Sequence, residues 1–174
     1  MMITPLPESD LDAGYVLVIG SSGIDIKARP DAPFVLETSN LGRVRNSLGG
    51  VARNIAENLA RLEVQTILLT AVGEDAEGDR VLRESEDAGI NCQHVRRVAE
   101  VQTGTSFSLL REDGQLHVNI YDHEIAAYVD SDYLLQHELL FAAAMLVVVD
   151  ATLTDDALET LFELTARYKL RVCV

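Results

Sequence analysis

Two glycines, Gly49 and Gly50, precede a stretch with helical spacing, and an amide side chain, Asn54, falls in its predicted first turn. Glycine lets a ligand approach the backbone closely, and a helix start carries unpaired N–H groups with a partial positive charge. The Asn54 amide could both donate a hydrogen bond to a hydroxyl group and accept one from it. These residues suit the floor of a pocket for a polyhydroxylated or anionic ligand. An ordinary junction between a loop and a helix is the interpretation that this stretch alone favours, because short glycine motifs are weak evidence.

Two acids, Asp25 and Asp150, follow predicted buried strands at residues 15–20 and 145–149. Ligands of open α/β sheets bind where parallel strands end, so the two carboxylates could face one crevice. The carboxylate of Asp25 could accept two hydrogen bonds from vicinal hydroxyl groups. A solvated acid in a turn is the alternative interpretation of Asp25.

Apolar runs and helical patterns alternate along the chain, which predicts an α/β fold with a parallel sheet. The predicted strands of this sheet are residues 15–20, 66–72, 145–149 and 170–174. Four helices are predicted. They cover residues 51–62, the segment from the turn at 73–78 to about residue 88, residues 130–144, and residues 154 to about 168. The first helix is predicted to have an apolar face opposite Arg53, Glu57 and Arg61. That face consists of Val51, Ile55, Leu59 and Leu62, with Ala52, Ala56 and Ala60 beside them.

A second, smaller sheet is predicted from two other parts of the chain. Short extended pieces occur around residues 34–36 and 43–45, in a segment that is broken by prolines and glycine. Residues 105–110 and 116–121 flank an Asp-Gly turn, which is a strong hairpin signal. The hairpin is expected to join the earlier short strands.

Composition limits the partners of this chain. Its 174 residues are 48% hydrophobic and carry a formal net charge of −14, so they can bury one core and should repel nucleic acid and anionic membranes. No apolar run reaches the length of a membrane span, and residues 1–14 lack a signal-peptide pattern. Two distant cysteines, Cys92 and Cys173, favour a reducing compartment, so a cytoplasmic location is predicted.

Several motifs for other chemistry are missing from the sequence. It contains no G-x-x-x-x-G-K-[ST] phosphate loop and no G-x-G-x-x-G motif after the first strand. The four histidines lack the spacing of metal ligands, so no metal site is predicted on them. A dinucleotide-binding oxidoreductase domain is an alternative that the missing glycine fingerprint disfavours.

Three motifs nevertheless carry a family resemblance. Residues 49–56 (GGVARNIA), the turn at residues 73–78 (GEDAEG) and the segment from Val18 to Asp25 resemble the N-terminal signature of the ribokinase-like (PfkB-type) sugar kinases. The resemblance implies a Rossmann-like sheet flanked by helices, with a small β-sheet lid from about residues 27–47 and 97–121. It also implies ATP-dependent transfer of the γ-phosphoryl group to a primary sugar hydroxyl, with Mg²⁺ as a cofactor, and a homodimer through the lid.

The resemblance also assigns roles to particular residues. Asp25, Gly50 and Asn54 would bind sugar hydroxyl groups beside Gly49, and Asp150 would be a further acid that contacts the substrate. Thr105 and Ser106 would be contacts from the lid. A finer likeness within the family, at residues 19–26, 49–60 and 119–122, implies a nucleoside such as pseudouridine as the substrate. Another sugar, such as a pentose or hexose, stays open, and so does a non-catalytic sugar- or nucleoside-binding module.

Two residues depart from the family pattern. Glu63 stands where the family usually has glycine after the helix, so that helix end is expected to be strained or differently shaped. Gly23 stands where ribokinase itself carries an amide, which argues against ribose.

The family's catalytic segment does not occur in these residues. The G-x-G-D segment, with its catalytic aspartate, and most of the ATP pocket have no counterpart in the 174 residues. The chain also stops inside an apolar strand. We therefore expect residues 1–174 to be the substrate-binding part of a longer kinase, without a catalytic base and inactive by itself, with ATP and Mg²⁺ bound mainly elsewhere.

Overall fold

The computed structural model describes residues 14–174. The strands are β1 Tyr15–Ile19, β2 Gly23–Pro30, β3 Gly42–Gly49, β4 Thr66–Leu69, β5 Ala71–Gly73, β6 Arg96–Val98, β7 Thr105–Leu110, β8 Leu116–Asp122, β9 Ala144–Val149 and β10 Arg171–Cys173. The helices are α1 Val51–Arg61, α2 Ala76–Asp87, α3 Ser131–Gln136, α4 Glu138–Ala143 and α5 Asp155–Arg167, with a 3₁₀ helix at Glu124–Tyr128.

The main sheet has the strand order β10-β9-β1-β4, and all its neighbouring strands are parallel. Strand β1 is buried on both faces, as its unbroken apolar run predicted. Leu17 and Ile19 pack into a core shared with α3, α4 and α5, whereas Val16 and Val18 pack against α1. The predicted α/β fold with a parallel sheet between helices is confirmed.

A second sheet, with the order β3-β2-β7-β8, leaves the main sheet at its carboxyl edge. Only residues 20–22 separate β1 from β2, so the second sheet begins where β1 ends. Ile24 is buried against Val72 and Val81, and this contact fixes β2 on the main body of the protein. The predicted hairpin forms as β7 and β8 around Gly114, whose φ is +89°. Whether this sheet moves as a lid stays a prediction.

The prediction of an extended piece around residues 34–36 is wrong, because these residues lie in the loop between β2 and β3. The Asn40 side chain accepts a hydrogen bond from the backbone N–H of Val35 and donates one to its carbonyl, at 2.9 and 2.8 Å. These bonds take the place of a strand partner for Val35. The loop is therefore held by a local amide bridge that short apolar sequence does not reveal.

The single strand predicted over residues 66–72 is divided between two sheets. β4 ends at Leu69, and β5 pairs with β6 in a separate two-stranded sheet. Thr70, at the break, is buried, and its carbonyl accepts a hydrogen bond from the backbone N–H of Arg96 at 2.9 Å. Because that bond leads into the β6 pairing, the chain turns away from the main sheet at this residue.

The helix predicted over residues 130–144 is broken at His137 into α3 and α4. The His137 backbone N–H donates a hydrogen bond to the Leu134 carbonyl at 3.1 Å. A bond to the third preceding residue is typical of a tight 3₁₀ turn. Its ring Nδ1 lies 2.9 Å from the carbonyl oxygen of Tyr133. The imidazole thus contacts the carbonyl that a continuing α-helix would use for its own hydrogen bond.

The buried face of α1 agrees in part with the prediction. Ala52 and Ala56 are fully buried against the main sheet, as expected from their place beside the apolar face, whereas Val51 is 56% exposed. Arg53, predicted on the opposite face, is only 5% exposed. Its guanidinium donates a hydrogen bond to Ser85 of α2 at 3.2 Å and forms an ion pair with Glu57. The predicted charged face of α1, formed by Arg53, Glu57 and Arg61, is therefore partly in contact with α2.

The departure at Glu63 has the predicted consequence for backbone shape. Glu63 follows the end of α1 and adopts a left-handed φ of +62°, a conformation that costs a residue with a side chain about 1 kcal/mol. Glu63→Gly is expected to raise the free energy of unfolding by about 1 kcal/mol, because it removes this cost and a negative charge at a helix C-terminus. Thermal unfolding followed by circular dichroism measures the change.

Lys169 provides the matched control for that substitution. It follows α5 with a φ of +53°, so glycine would relieve similar strain there. However, Lys169→Gly also removes a positive charge that a helix C-terminus favours, so its gain should be smaller. A lower melting temperature for Glu63→Gly than for the wild type would contradict this account of α1.

None of the helices within residues 14–174 combines the length and apolar composition that a membrane crossing requires. The prediction that residues 1–14 carry no signal pattern falls, except for Gly14, outside the described residues.

Candidate functional site

The carboxylate of Asp150 joins the ends of β9 and β1 to the start of α1. Its Oδ2 accepts hydrogen bonds from the Ser21 backbone N–H at 2.8 Å, the Ser21 hydroxyl at 2.6 Å and the Ala52 N–H at 3.0 Å. Its Oδ1 accepts the Thr152 N–H at 3.0 Å and the Thr152 hydroxyl. Asp150 is 6% exposed, so its oxygens are occupied by the protein itself.

These hydrogen bonds also set the ionisation of Asp150. Burial would raise the pKa of this carboxyl, but the hydrogen bonds from Ser21 and Thr152 outweigh burial and lower its pKa. Asp150 is therefore a carboxylate at neutral pH, and its negative charge lies at the N-terminus of α1, where a helix favours it.

The first turn of α1 does not present the free N–H groups that the sequence predicted. The Val51 N–H donates to the Ser21 hydroxyl oxygen at 3.0 Å, and the Arg53 N–H donates to the Ser21 carbonyl at 3.1 Å. The Ala52 N–H is bound to Asp150. These three N–H groups are therefore already bonded within the protein, because Ser21 and Asp150 cap the helix from outside its own sequence.

The two glycines before α1 are required by close approach. Gly50 has a φ of +91°, and a Cβ built on it would lie 2.4 Å from both the Ser21 carbonyl oxygen and the Ser22 Cα. A Cβ on Gly49 would lie 2.5 Å from Oδ1 of Asp25. Gly50 therefore allows residues 21–22 to pack directly against its backbone, and Gly49 leaves room for the Asp25 carboxylate.

Asp25 lies in a row of side chains that crosses the second sheet. Asp25 pairs with Ser47 on β3 and with Ser106 on β7, and Ser106 pairs with Tyr121 on β8. Because directly paired residues project from the same face of a sheet, these four side chains share one face. The row places a partly exposed carboxylate beside hydroxyl groups, which is a suitable arrangement for binding a hydroxylated molecule.

A small, open cleft with a volume of about 20 Å³ runs between this row and the end of β1. Four of the predicted site residues line it: Asp25, Gly50, Thr105 and Ser106. Gly49 lies behind Asp25, and Asp150 lies beneath the cleft wall formed by Ser21. Asn54 is exposed in the first turn of α1 and does not line the cleft.

The cleft also contains residues that sequence reasoning did not select, among them Ser22, Gly104, Tyr121 and His123. The Ser22 hydroxyl lies 2.9 Å from that of Thr70, so it is held at the carboxyl edge of the main sheet. Gly104 approaches Gly23 so closely that a Cβ on Gly23 would lie 2.2 Å from the Gly104 carbonyl oxygen. An amide side chain at position 23 would therefore need the start of β7 to move.

The turn at residues 73–78 positions β7. Asp75 caps α2 by accepting the Gly78 N–H at 2.7 Å, and it also accepts the Thr103 N–H and hydroxyl at 2.8 and 2.7 Å. The Thr103 hydroxyl oxygen accepts the Gly73 N–H at 3.0 Å. This network fixes Thr103, two residues before the start of β7, and so helps to position Ser106 at the cleft.

Replacing Asp75 by asparagine should lower stability in a pH-dependent manner. Burial raises the pKa of Asp75, but hydrogen bonds from Thr103 and Gly78 outweigh it and bring the pKa below the usual 3.8. A carboxyl with a lowered folded-state pKa stabilises the fold above about pH 4, and this contribution is lost as the pH falls through the folded-state pKa. At pH 7, Asp75→Asn should cost about 1–3 kcal/mol, because one side of the amide would face the Thr103 N–H with a donor.

Urea unfolding at several pH values between 3 and 7, at about half-unit steps, measures that difference. The stability gap between the wild type and Asp75→Asn should narrow as the pH falls below 4. Glu74→Gln, at the exposed neighbouring acid, is the matched control and should change stability little. A gap that is constant over the whole pH range would contradict the proposed role of the Asp75 carboxylate.

Comparisons with known proteins agree with the arrangement of these elements. The model of the "pfkB family carbohydrate kinase" family matches residues 13–172. A pseudouridine kinase from Escherichia coli is 34% identical over 144 residues, which are 83% of this chain and 46% of that protein. A guanosine-inosine kinase from Exiguobacterium acetylicum is 29% identical over 155 residues, 89% of this chain and 51% of that protein. The chain thus spans about half the length of these curated relatives.

Solved structures show the same fold. A carbohydrate kinase from Agrobacterium tumefaciens superposes with a TM-score of 0.83 at 22% identity, over 91% of this chain and 52% of that one. Ribokinase from Arabidopsis thaliana, complexed with ribose and ATP, superposes with a TM-score of 0.81 at 23% identity, over 92% of this chain and 52% of that one. At these identities the likeness concerns the fold alone.

Proposed function

The chain belongs to the pfkB family of carbohydrate kinases, and from this premise we propose that it forms the substrate-binding part of an ATP-dependent kinase for a sugar or nucleoside. The reaction is transfer of the γ-phosphoryl group to a primary sugar hydroxyl, and pseudouridine is the favoured substrate. One observation carries the proposal: Asp25, Thr105 and Ser106 line a single cleft at the end of β1. The similarity to a pseudouridine kinase supports the finer choice of substrate.

The binding roles follow from the geometry of the cleft. The Asp25 carboxylate is partly exposed and would accept hydrogen bonds from vicinal hydroxyl groups, with Ser106 beside it as donor or acceptor. Gly49 and Gly50 give these groups space, and Asn54 would approach the substrate from the first turn of α1. Asp150 acts as a positioning residue, because its hydrogen bonds hold Ser21 and α1 rather than pointing into the cleft.

The described residues do not fit the phosphates of ATP or a Mg²⁺ ion. The N–H groups at the start of α1 are already bound to Ser21 and Asp150. Within residues 14–174, His, Cys, Asp and Glu side chains form no group of three or more that could hold a metal ion. We therefore propose that ATP and Mg²⁺ are bound mainly by residues outside this sequence, and that this chain orients the acceptor hydroxyl.

Titration of the 174-residue chain by NMR with pseudouridine, uridine, ribose and ATP tests the proposal. Shifts in the cleft residues are expected with the nucleosides, and no phosphorylated product is expected when ATP-Mg²⁺ and pseudouridine are supplied together. Asp25→Asn should weaken binding, whereas Asp31→Asn, at an exposed acid beyond the end of β2, should not. Failure of every sugar and nucleoside to bind would refute the proposed site, and product formation by this chain would refute its inactivity.

Two other functions have specific support. Similarity to a guanosine-inosine kinase favours a purine nucleoside as an alternative substrate, and guanosine in the same titration separates the two. A non-catalytic sugar- or nucleoside-binding module is the second alternative, and formation of a phosphorylated product by this chain would exclude it. The dinucleotide-binding oxidoreductase gains no support from the matched family.

We also propose a homodimer through the second sheet. Its outer strand β8 exposes three apolar side chains, namely Leu116, Val118 and Ile120. An edge strand with exposed apolar residues needs a cover, and a second copy of the same strand would provide one. Light scattering should give the mass of two chains, and a Val118→Lys/Ile120→Lys variant should give the mass of one. The two free cysteines, Cys92 and Cys173, support a cytoplasmic location, which stays a prediction.

A further inference from the structure

Two rings on the second sheet form a stacked pair at the cleft. The rings of Tyr121 and His123 lie with their centroids 4.6 Å apart and their planes 23° from parallel. The Tyr121 hydroxyl oxygen is 3.4 Å from Nε2 of His123. Both residues line the same cleft as Asp25, and Tyr121 is 55% exposed although it is a large aromatic residue. The pair therefore offers a flat aromatic surface to the cleft.

The register of the sheet sets the distance from this surface to the Asp25 carboxylate. Tyr121 pairs with Ser106, and Ser106 pairs with Asp25, so the two residues are two strands apart on one face. Neighbouring strands are about 4.8 Å apart, which separates the backbones of Tyr121 and Asp25 by about 10 Å across the sheet. A nucleoside has the required length, since its heterocycle projects from the sugar on the side away from the hydroxyl groups.

The charge state of the pair suits an uncharged heterocycle. Burial lowers the pKa of His123, although the negative charges of Asp150 and Asp122 partly oppose this effect. Burial raises the pKa of Tyr121, and Asp150 and Asp25 raise it further. Both rings are therefore neutral at pH 7, and their faces can stack on a planar base without the cost of burying a charge.

We propose that Tyr121 and His123 are the specificity-determining residues of the cleft, and that they stack on the heterocycle of a nucleoside whose ribose hydroxyl groups bind Asp25. This inference rests on the proposed function and narrows the substrate class from sugars in general to nucleosides. Tyr121 supplies the contact surface, and His123 supports the Tyr121 ring from behind. The other face of Tyr121 then remains for the base.

The experiment compares uridine, pseudouridine and ribose as probes for the 174-residue chain, with dissociation constants from NMR titration. Stacking of one base on an aromatic side chain changes affinity by about 5- to 100-fold, so both nucleosides should bind more tightly than ribose by a factor in this range. Tyr121→Leu should remove most of that advantage and bring the ratio of nucleoside to ribose affinity close to one. Tyr121→Phe should retain the advantage, because it keeps the ring, and His123→Ala should lose part of it.

Phe34 and His117 provide the matched control. Their rings form a second aromatic pair, between β8 and the loop that joins β2 to β3, with centroids 5.4 Å apart. Phe34 lines a cavity at this loop and does not line the cleft. Phe34→Leu should therefore leave the affinity ratio of nucleoside to ribose unchanged. An equal ratio in the wild type and Tyr121→Leu would overturn the stacking role while leaving the proposed function intact. Absence of binding by all three probes would overturn both.

Discussion

Asp150→Ala is expected to lower the free energy of unfolding by about 3–5 kcal/mol, because it removes the common acceptor of five hydrogen bonds. The backbone N–H groups of Ser21, Ala52 and Thr152 would lose their partner in a site that is almost closed to water. A buried donor without a partner costs about 1–3 kcal/mol, and water can replace only some of the lost bonds. Urea unfolding followed by circular dichroism at pH 7 measures the loss.

Asp150→Asn and Asp130→Ala bracket this prediction. The asparagine keeps the shape of the side chain but presents a donor to some of the same N–H groups, so its cost should be intermediate. Asp130 caps α3 through the Tyr133 N–H, but its side chain is 40% exposed, so Asp130→Ala should cost only about 1 kcal/mol. A cost for Asp150→Ala no greater than that for Asp130→Ala would show that the network at the end of β9 contributes little.

The same variant separates positioning from direct contact with substrate. If Asp150 acts only through Ser21 and α1, Asp150→Asn should weaken nucleoside binding in proportion to the disorder of those residues. NMR signals of Ser21, Ser22 and Ala52 should therefore shift in the variant before any ligand is added. Weaker binding without such shifts would favour a direct contact between Asp150 and the substrate.

Local patterns in the sequence were sufficient to predict most of the fold. The apolar run of β1 identifies a strand that is buried on both faces, and that of β9 identifies a strand whose last three residues are buried. Thr154 identifies the start of α5, because its side chain accepts the Ala157 N–H at 3.4 Å. Gly89 follows the predicted end of α2 near residue 88 and has a φ of +92°, a conformation that glycine favours after a helix. In each case the residue that carries the signal lies within the element that it defines or directly beside its end.

The remaining features depend on contacts between distant parts of the chain. Arg53 reads as a solvent-facing residue because helical spacing says nothing of α2, which covers it through Ser85. Asp150 and Ser21 are 129 positions apart, so the capping of α1 by these residues is invisible in the sequence around α1. Tyr121 reaches the cleft only through the pairing of β8 with β7 and of β7 with β2. Register across three strands is not encoded in any one of them.

Gly50→Ala is expected to lower the free energy of unfolding by about 2–5 kcal/mol and to abolish nucleoside binding. The left-handed φ of +91° alone costs an alanine about 1–2 kcal/mol. The added Cβ would also lie 2.4 Å from the Ser21 carbonyl oxygen and the Ser22 Cα, which are backbone atoms and cannot rotate away. Overpacking of this kind costs a further 1–3 kcal/mol or so. Relief of the clash must displace Ser21, and with it the cleft wall and the hydrogen bonds to Asp150.

Gly89→Ala isolates the backbone cost from the steric cost. Gly89 has nearly the same φ, +92°, but a Cβ there would meet only the Ala60 Cβ at 3.8 Å, an ordinary contact. Its alanine variant should therefore lose only about 1–2 kcal/mol and keep full binding. Urea unfolding and titration with pseudouridine measure how far the two variants differ in stability and in affinity. That difference is the contribution of the close contact between Gly50 and residues 21–22. Equal losses of stability together with unchanged binding in Gly50→Ala would mean that the glycine serves α1 alone, and that the cleft does not depend on the position of residues 21–22.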